Sequence, residues 1–263
     1  MNNRMRQFIG FIVGAPIGIT LGVSFFYLIF LTEGALQLFG AALFVALAVG
    51  VILFFSIRGA KGRKLIDSLL DILYKEVDPA KFAEESEKAI RKTRNRAIKC
   101  TLSLNLAVGY EALGEYKKAI EIMENLDISA SDKITTAMYY SNAAAFYAEN
   151  GQLTRAQEAY TKGQPLFEKM GESISLAHVR FSRALLYYAD EQYEEALEGF
   201  NSARGRGFDD RHSLTRLQLF EARTLAKLGK AKEAKSVYGK ILQKHTYPYL
   251  LDCAKREMQA LSE

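Results

Sequence analysis

Histidine, cysteine and paired carboxylates are the side chains of this chain whose types could support chemistry. The three histidines, His178, His212 and His245, each lack an acidic or cysteine neighbour at ligand spacing, so no metal site is expected. Cys100 and Cys253 stand far apart, in neither a metal nor a redox spacing, and read as reduced, packed thiols of a cytosolic domain. Glu84-Glu85 and Glu194-Glu195 fall on predicted helix exteriors, where paired carboxylates are solvated. The early glycines lack the strand, lysine and Ser/Thr context of a phosphate-binding loop. No nucleophile has a plausible base. We therefore expect no catalytic residue, no cofactor and no enzyme activity. The basic run Arg91, Lys92, Arg94, Arg96 and Lys99 reads as a solvated helix face. An anionic membrane surface is its alternative ligand. Nucleic acid is disfavoured, because no base-stacking aromatics interleave with the basic residues.

The elements that position these residues change character along the chain. Overall it is 49% hydrophobic and 25% charged with a net charge of +5, which resembles an ordinary soluble protein. From Phe8 to Ile57, however, the one charged residue is Glu33. Two apolar runs, Phe8 to Leu31 and Ala35 to Ile57, each exceed the ~20 residues a helix needs to cross a hydrocarbon core. They are joined only by Thr32-Glu33-Gly34, so residues 1–57 are expected to form a transmembrane helical hairpin. A cleaved signal peptide is disfavoured by the length of the first run and the lack of an Ala-x-Ala-like site. Arg4 and Arg6 flank one side, and Arg58, Lys61, Arg63 and Lys64 the other, which puts both termini in the cytoplasm of an integral membrane protein. The tight loop points to a bacterial inner membrane.

Within the first run, Gly10, Gly14, Gly18 and Gly22 recur every fourth residue and share one helix face, where glycine admits a close backbone approach. Ala42, Ala46 and Gly50 offer a matching row in the second run. The two rows pack together within the hairpin, or the glycine face makes a homo-oligomer or docks another membrane protein. Pro16 kinks the first helix. Neither run holds an ionisable residue, so the hairpin is an anchor contacting lipid and not a transporter.

Beyond Arg58 the chain repeats. The copies are Ala107, Tyr110, Tyr116, Ala119, Met123; Ala144, Tyr147, Leu153, Ala156, Tyr160; Ala184, Tyr187, Tyr193, Ala196, Phe200; and Ala222, Leu225, Ala231, Ala234, Tyr238. Gly114, Gly151 and Gly229 divide the two halves, with Glu191 at that place in the third copy. Small and aromatic residues three or four apart line one helix face in each half. A glycine turn between the halves makes a helical pair, and stacked pairs bury what one pair cannot.

The segments LNLAVGYEALGEYKKAI, SNAAAFYAENGQLTRAQEAY, FSRALLYYADEQYEEALEGF and FEARTLAKLGKAKEAKSVY resemble the tetratricopeptide repeat family. The resemblance covers roughly Cys100 to His245. It lacks the early tryptophan and the terminal proline of that family, and its repeats are longer. It implies about four repeats of an α-solenoid (99–246), and together with the hairpin (1–57), juxtamembrane helices that form a degenerate repeat or a capping unit (58–98) and a C-terminal capping helix (247–263) the expected fold is all-α. Asp78-Pro79 supplies an N-cap and first-turn proline for a helix to about Arg91, and Pro248 opens the last helix, with Leu251, Ala254, Met258 and Leu261 on one side.

In this family the first helix of each repeat lines a concave groove that holds an extended peptide or a partner helix. The resemblance places Asn105, Val108, Asn142, Ala145, Phe181, Ser182, Leu185, Tyr188, Leu219 and Arg223 on that surface. Asn105 and Asn142 are equivalent positions, where family members use asparagine to bond a peptide backbone. The carboxylate clamp of some members is not implied, since Leu104, Val108, His178 and Ser182 stand at its other positions. The expected function is a membrane-anchored scaffold that recruits a protein partner. The alternative is an accessory subunit whose hairpin assembles with other membrane proteins while the solenoid regulates.

Overall fold

The computed structural model describes residues 35–169, 174–204 and 211–261. Among the described residues there are eleven helices and no strand: α1 (Ala35–Tyr74), α2 (Pro79–Lys92), α3 (Arg96–Ala112), α4 (Tyr116–Glu124), α5 (Lys133–Glu149), α6 (Leu153–Phe167), α7 (Ile174–Ala189), α8 (Tyr193–Arg204), α9 (Arg211–Lys227), α10 (Ala231–Leu242) and α11 (Pro248–Ala260). The chain divides into two compact units, Met1–Lys64 and Leu65–Glu263.

The first unit corrects the membrane reading. The run 8–31, with Gly10, Gly14, Gly18 and Gly22, lies outside the described residues. The run 35–57 belongs to α1, whose 40 residues do not stop at the apolar boundary but continue through Arg58 to Tyr74. Among the described residues no helix is long and apolar enough to cross a membrane. An apolar run in a sequence is necessary for a span but does not make one, and here it is part of a longer, charged helix. The two-span integral membrane protein with cytoplasmic termini is therefore not supported. With it go the bacterial inner-membrane placement, the lipid contact through two spans and the accessory-subunit reading. Ala42 and Ala46 are exposed, and a Cβ built on Gly50 would meet nothing within 4 Å. Lys61, Arg63 and Lys64 are exposed, and Arg58 lies outside the described side chains.

In the second unit the four copies are four helical pairs: α3–α4, α5–α6, α7–α8 and α9–α10. Helices within each pair pack together, and the first helices of successive pairs stack, α3 on α5 on α7 on α9. The eight repeat alanines, Ala107, Ala119, Ala144, Ala156, Ala184, Ala196, Ala222 and Ala234, are all 0% exposed, as close helix approach requires. Ala184 meets Gly199 in this way: a Cβ on Gly199 would sit 2.8 Å from the Ala184 Cβ and 3.3 Å from its Cα. Gly199→Val is expected to lower stability by about 1–3 kcal/mol in urea unfolding, because α7 and α8 must separate. An unchanged midpoint would refute that contact.

The turn within each pair has one conformation. Gly114, Gly151 and Gly229 adopt φ of 77°, 73° and 74°, and Glu191 takes 60° at the corresponding place. Val77, two residues before α2 as those four are two residues before their second helices, also has φ of 60°. The Leu65–Tyr74 part of α1 and α2 thus share the turn of the four pairs, with Leu69, Leu73 and Phe82 buried. Local caps start the helices: Asp78 accepts from the Lys81 N–H at 2.9 Å, Asn95 from Ile98 at 3.1 Å and Asp132 from Thr135 at 2.7 Å.

The last pair returns to the first. One apolar core gathers Leu69, Leu73, Phe82 and Leu102 with Leu219, Leu225, Tyr238, Tyr247 and Leu250. The Tyr247 hydroxyl donates to the Leu73 carbonyl at 2.7 Å across 174 residues of sequence. α11 buries Leu250, Cys253 and Ala254, with Leu251, Met258 and Leu261 at the margin of that core. It packs on α10, and its Tyr249 reaches Tyr116 of the first pair.

Candidate partner-binding site

Where the first and fourth pairs meet, charge is buried. Arg216 on α9 lies between two carboxylates: its Nε is 3.0 Å from Glu111 Oε1 on α3, and its terminal nitrogen bonds Glu149 on α5. Its guanidinium lies 4.9 Å from the centroid of the Phe181 ring. His212, one helical turn before Arg216, places Nε2 2.9 Å from Glu111 Oε2 and its ring 4.3 Å from Tyr247. The Tyr116 hydroxyl donates to Glu149 at 2.6 Å, and Tyr116 meets Tyr249 edge-on at 6.2 Å. Glu111 and His212 are almost wholly buried, and Arg216 nearly so.

Burial and neighbours oppose one another at these groups. Burial pushes the Glu111 carboxyl up, but Arg216 and His212 outweigh it and hold the carboxyl below its ordinary value. For Glu149 burial wins over Arg216, and the Glu111 charge adds to it, so its carboxyl is raised. Burial and then Glu149 hold the Tyr116 phenol well above its usual range. Two carboxylates thus share one guanidinium, with the Glu111 carboxyl held down and the Glu149 carboxyl held up.

This network separates two cavities. One, of 200 Å³, holds Asn105, Val108 and Asn142 together with His178, Glu111 and His212. The other, of 330 Å³, holds Leu185, Tyr188 and Arg223 with Tyr116, Glu149 and Tyr249. Arg223 is clamped to Glu257 by hydrogen bonds of 2.9 and 2.7 Å. Six of the ten groove positions are therefore gathered, three at each mouth. Ala145, Phe181, Ser182 and Leu219 are buried and line neither cavity. Ser182 is held 2.8 Å from the Ser141 hydroxyl and 2.9 Å from the carbonyls of Ser141 and His178, so it joins α5 to α7.

Sequence reasoning missed Glu111, Glu149, Arg216, Tyr116, Tyr247 and Tyr249, and left His212 alone. The partner of His212 lies 101 residues away. One signal was present: Glu111 is four residues after Ala107, on the face that the repeat must bury. A charge there needs a buried counter-charge from elsewhere. Cys100 and Cys253 are buried and free. Among the described residues no group of three or more His, Cys, Asp or Glu could hold a metal ion.

No protein-family model and no curated protein matches the chain. Eighteen chains of known structure do. One is the crystal structure of Bacillus thuringiensis PlcR in its apo form, at 18% sequence identity and a TM-score of 0.55, covering 88% of this chain and 87% of that one. At that identity the likeness establishes the fold alone, an all-helical repeat architecture.

Proposed function

We propose that the repeat unit is a protein-interaction module, not an enzyme, and that its inner face takes an extended segment of a protein partner. The observation that carries this reading is the cavity in which Asn105 and Asn142, from successive first helices, stand beside an apolar wall that includes Leu104, Val108 and Phe146. Two carboxamides at one repeat interval supply donor and acceptor to a peptide backbone, while the apolar wall accepts a side chain. A helical-repeat fold supports the reading, since stacked pairs build continuous inner surfaces.

Peptides selected from a random display library against the full chain provide the test. Asn105→Ala and Asn142→Ala are each expected to weaken a selected peptide by about threefold to tenfold, the value of one hydrogen bond. Lys162→Ala, at an exposed position on α6, should leave binding unchanged. Peptides that bind both asparagine variants as well as they bind the native chain would remove the inner face as the site.

A further inference from the structure

We infer that the second cavity, the one holding Tyr188 and Arg223, is a subsite for the phenol ring of a tyrosine on the bound segment, an inference that rests on the inner-face reading above. Two pairs of aromatic rings line it. Tyr116 of α4 meets Tyr249 of α11 edge-on at 6.2 Å, and Tyr188 of α7 meets Phe220 of α9 edge-on at 5.5 Å. Among the described residues no ring contact joins one pair to the other. Small residues complete the lining: Ala148, Gly151 and Ala189, and a Cβ built on Gly151 would meet nothing within 4 Å. The volume of 330 Å³ lies at the lower end of the range of about 300–1,000 Å³ for small-molecule pockets. A ring placed there can meet both pairs. Edge-to-face contacts at centroid separations of about 4.5–7 Å then favour it over an aliphatic group, which gains only from its buried area.

The polar groups of the cavity select among aromatic rings. Arg223 gives Nε and one Nη to Glu257, and its other Nη has no acceptor among the described residues. The Tyr188 hydroxyl likewise has no hydrogen-bond partner among the described residues, although its ring touches Tyr193 and Phe220. Both side chains are half-buried and line the cavity, so each retains surface that a ligand can reach. Glu149 is different, because both of its oxygens are already engaged, by Tyr116 and by Arg216. The cavity thus presents a guanidinium N–H that donates and a hydroxyl that donates or accepts. A phenol O–H accepts from the first and donates to the second. A phenylalanine ring does neither, and an indole N–H cannot accept. Charge keeps the ligand neutral, since a cation would face Arg223 and an anion would face Glu149.

The experiment is an NMR titration of the full-length chain, isotope-labelled in its alanine methyl groups and read at Ala148 and Ala189, whose signals an entering ring moves by its ring current. Ala148→Gly and Ala189→Gly assign the two signals. The probes are the Nα-acetyl methylamides of tyrosine, phenylalanine and cyclohexylalanine. Tyrosine should bind about threefold to tenfold more tightly than phenylalanine, the value of one hydrogen bond. Phenylalanine should in turn bind about twofold to tenfold more tightly than cyclohexylalanine, the value of the ring contacts. Tyr188→Phe removes one hydroxyl that has no partner, so the chain should fold as before while the preference for tyrosine falls about threefold. Equal affinity of the tyrosine and phenylalanine probes would overturn the phenol subsite, as would an unchanged preference in Tyr188→Phe. Cyclohexylalanine bound as tightly as phenylalanine, or no shift of either methyl by any probe at its solubility limit, would overturn it also. These shifts read the second cavity alone, whereas the display-selected peptides with the two asparagine variants read the inner face, so either can fail without the other.

Discussion

Arg216→Met is expected to destabilise the repeat unit by about 3–5 kcal/mol at pH 8, the cost of leaving buried carboxylates without their counter-ion. Domains of this kind are typically stable by about 5–15 kcal/mol, so the variant should be marginal. The loss should depend on pH with a definite sign. In the native chain Glu111 is held below its unfolded value, so its contribution is present above that value and lost as pH falls through the folded one. Glu149 is raised, so its contribution is present below its unfolded value and lost as pH rises through the folded one. The two oppose each other and flatten the native profile. Without the guanidinium, burial and mutual repulsion raise both carboxyls, and the deficit of the variant should shrink between pH 8 and pH 5. Urea unfolding followed by circular dichroism at the two pH values measures this. A variant within 1 kcal/mol of the native chain at pH 8 would show that Arg216 is not holding the two carboxylates. Replacing Glu111 and Glu149 by glutamine in the same variant should recover part of the loss.

Gly114→Ala is the second large effect, and its controls are built into the repeat. Gly114, Gly151 and Gly229 share one backbone conformation, so alanine at each meets the same left-handed penalty of about 1–2 kcal/mol. Their surroundings differ. A Cβ at Gly151 or Gly229 would meet nothing within 4 Å, whereas at Gly114 it would lie 2.4 Å from the Tyr249 ring. Tyr249 would have to leave Tyr116, adding the roughly 1–3 kcal/mol of an overpacked contact. The expected order is therefore Gly114→Ala well below Gly151→Ala and Gly229→Ala in unfolding midpoint. In the background Tyr249→Ala the three should become alike, which a double-mutant cycle reads directly. Equal losses at all three positions in the native background would mean that α11 does not press on the first pair.

What the sequence made legible is local. The alanine–aromatic phasing places eight residues that are all fully buried, because helix spacing alone decides which face they share. The turn position is equally local, and Glu191 adopts the left-handed conformation of the glycines it replaces. Asp78 and Pro79 start α2 where a cap and a first-turn proline stand together. The closure of the unit was not legible. Glu111 with His212, Glu149 with Arg216 and Leu73 with Tyr247 are separated by 101, 67 and 174 residues. Repeat phase describes how each pair meets the next and carries nothing about how the first meets the fourth. The candidate site suffered in the same way: six groove positions gather at two cavities, but the charged floor between the cavities comes from residues that no motif marks. The apolar run 35–57 misled for a related reason, since hydropathy reports composition and not where a helix ends.

The contact between Tyr247 and Leu73 changes what kind of polymer the repeat unit is. An open stack of helical pairs frays from its ends, since a terminal pair has a neighbour on one side only, and its stability is a sum over adjacent interfaces. Here Tyr247, just before α11, is bonded to Leu73 on α1, while α9 reaches α3 through Arg216 and Glu111, so the two ends of the stack hold each other. Opening either end breaks two interfaces at once, so the unit melts as one cooperative body and does not unzip. The same contacts make assembly slow, because a loop of more than a hundred residues must be closed before the buried charges find one another.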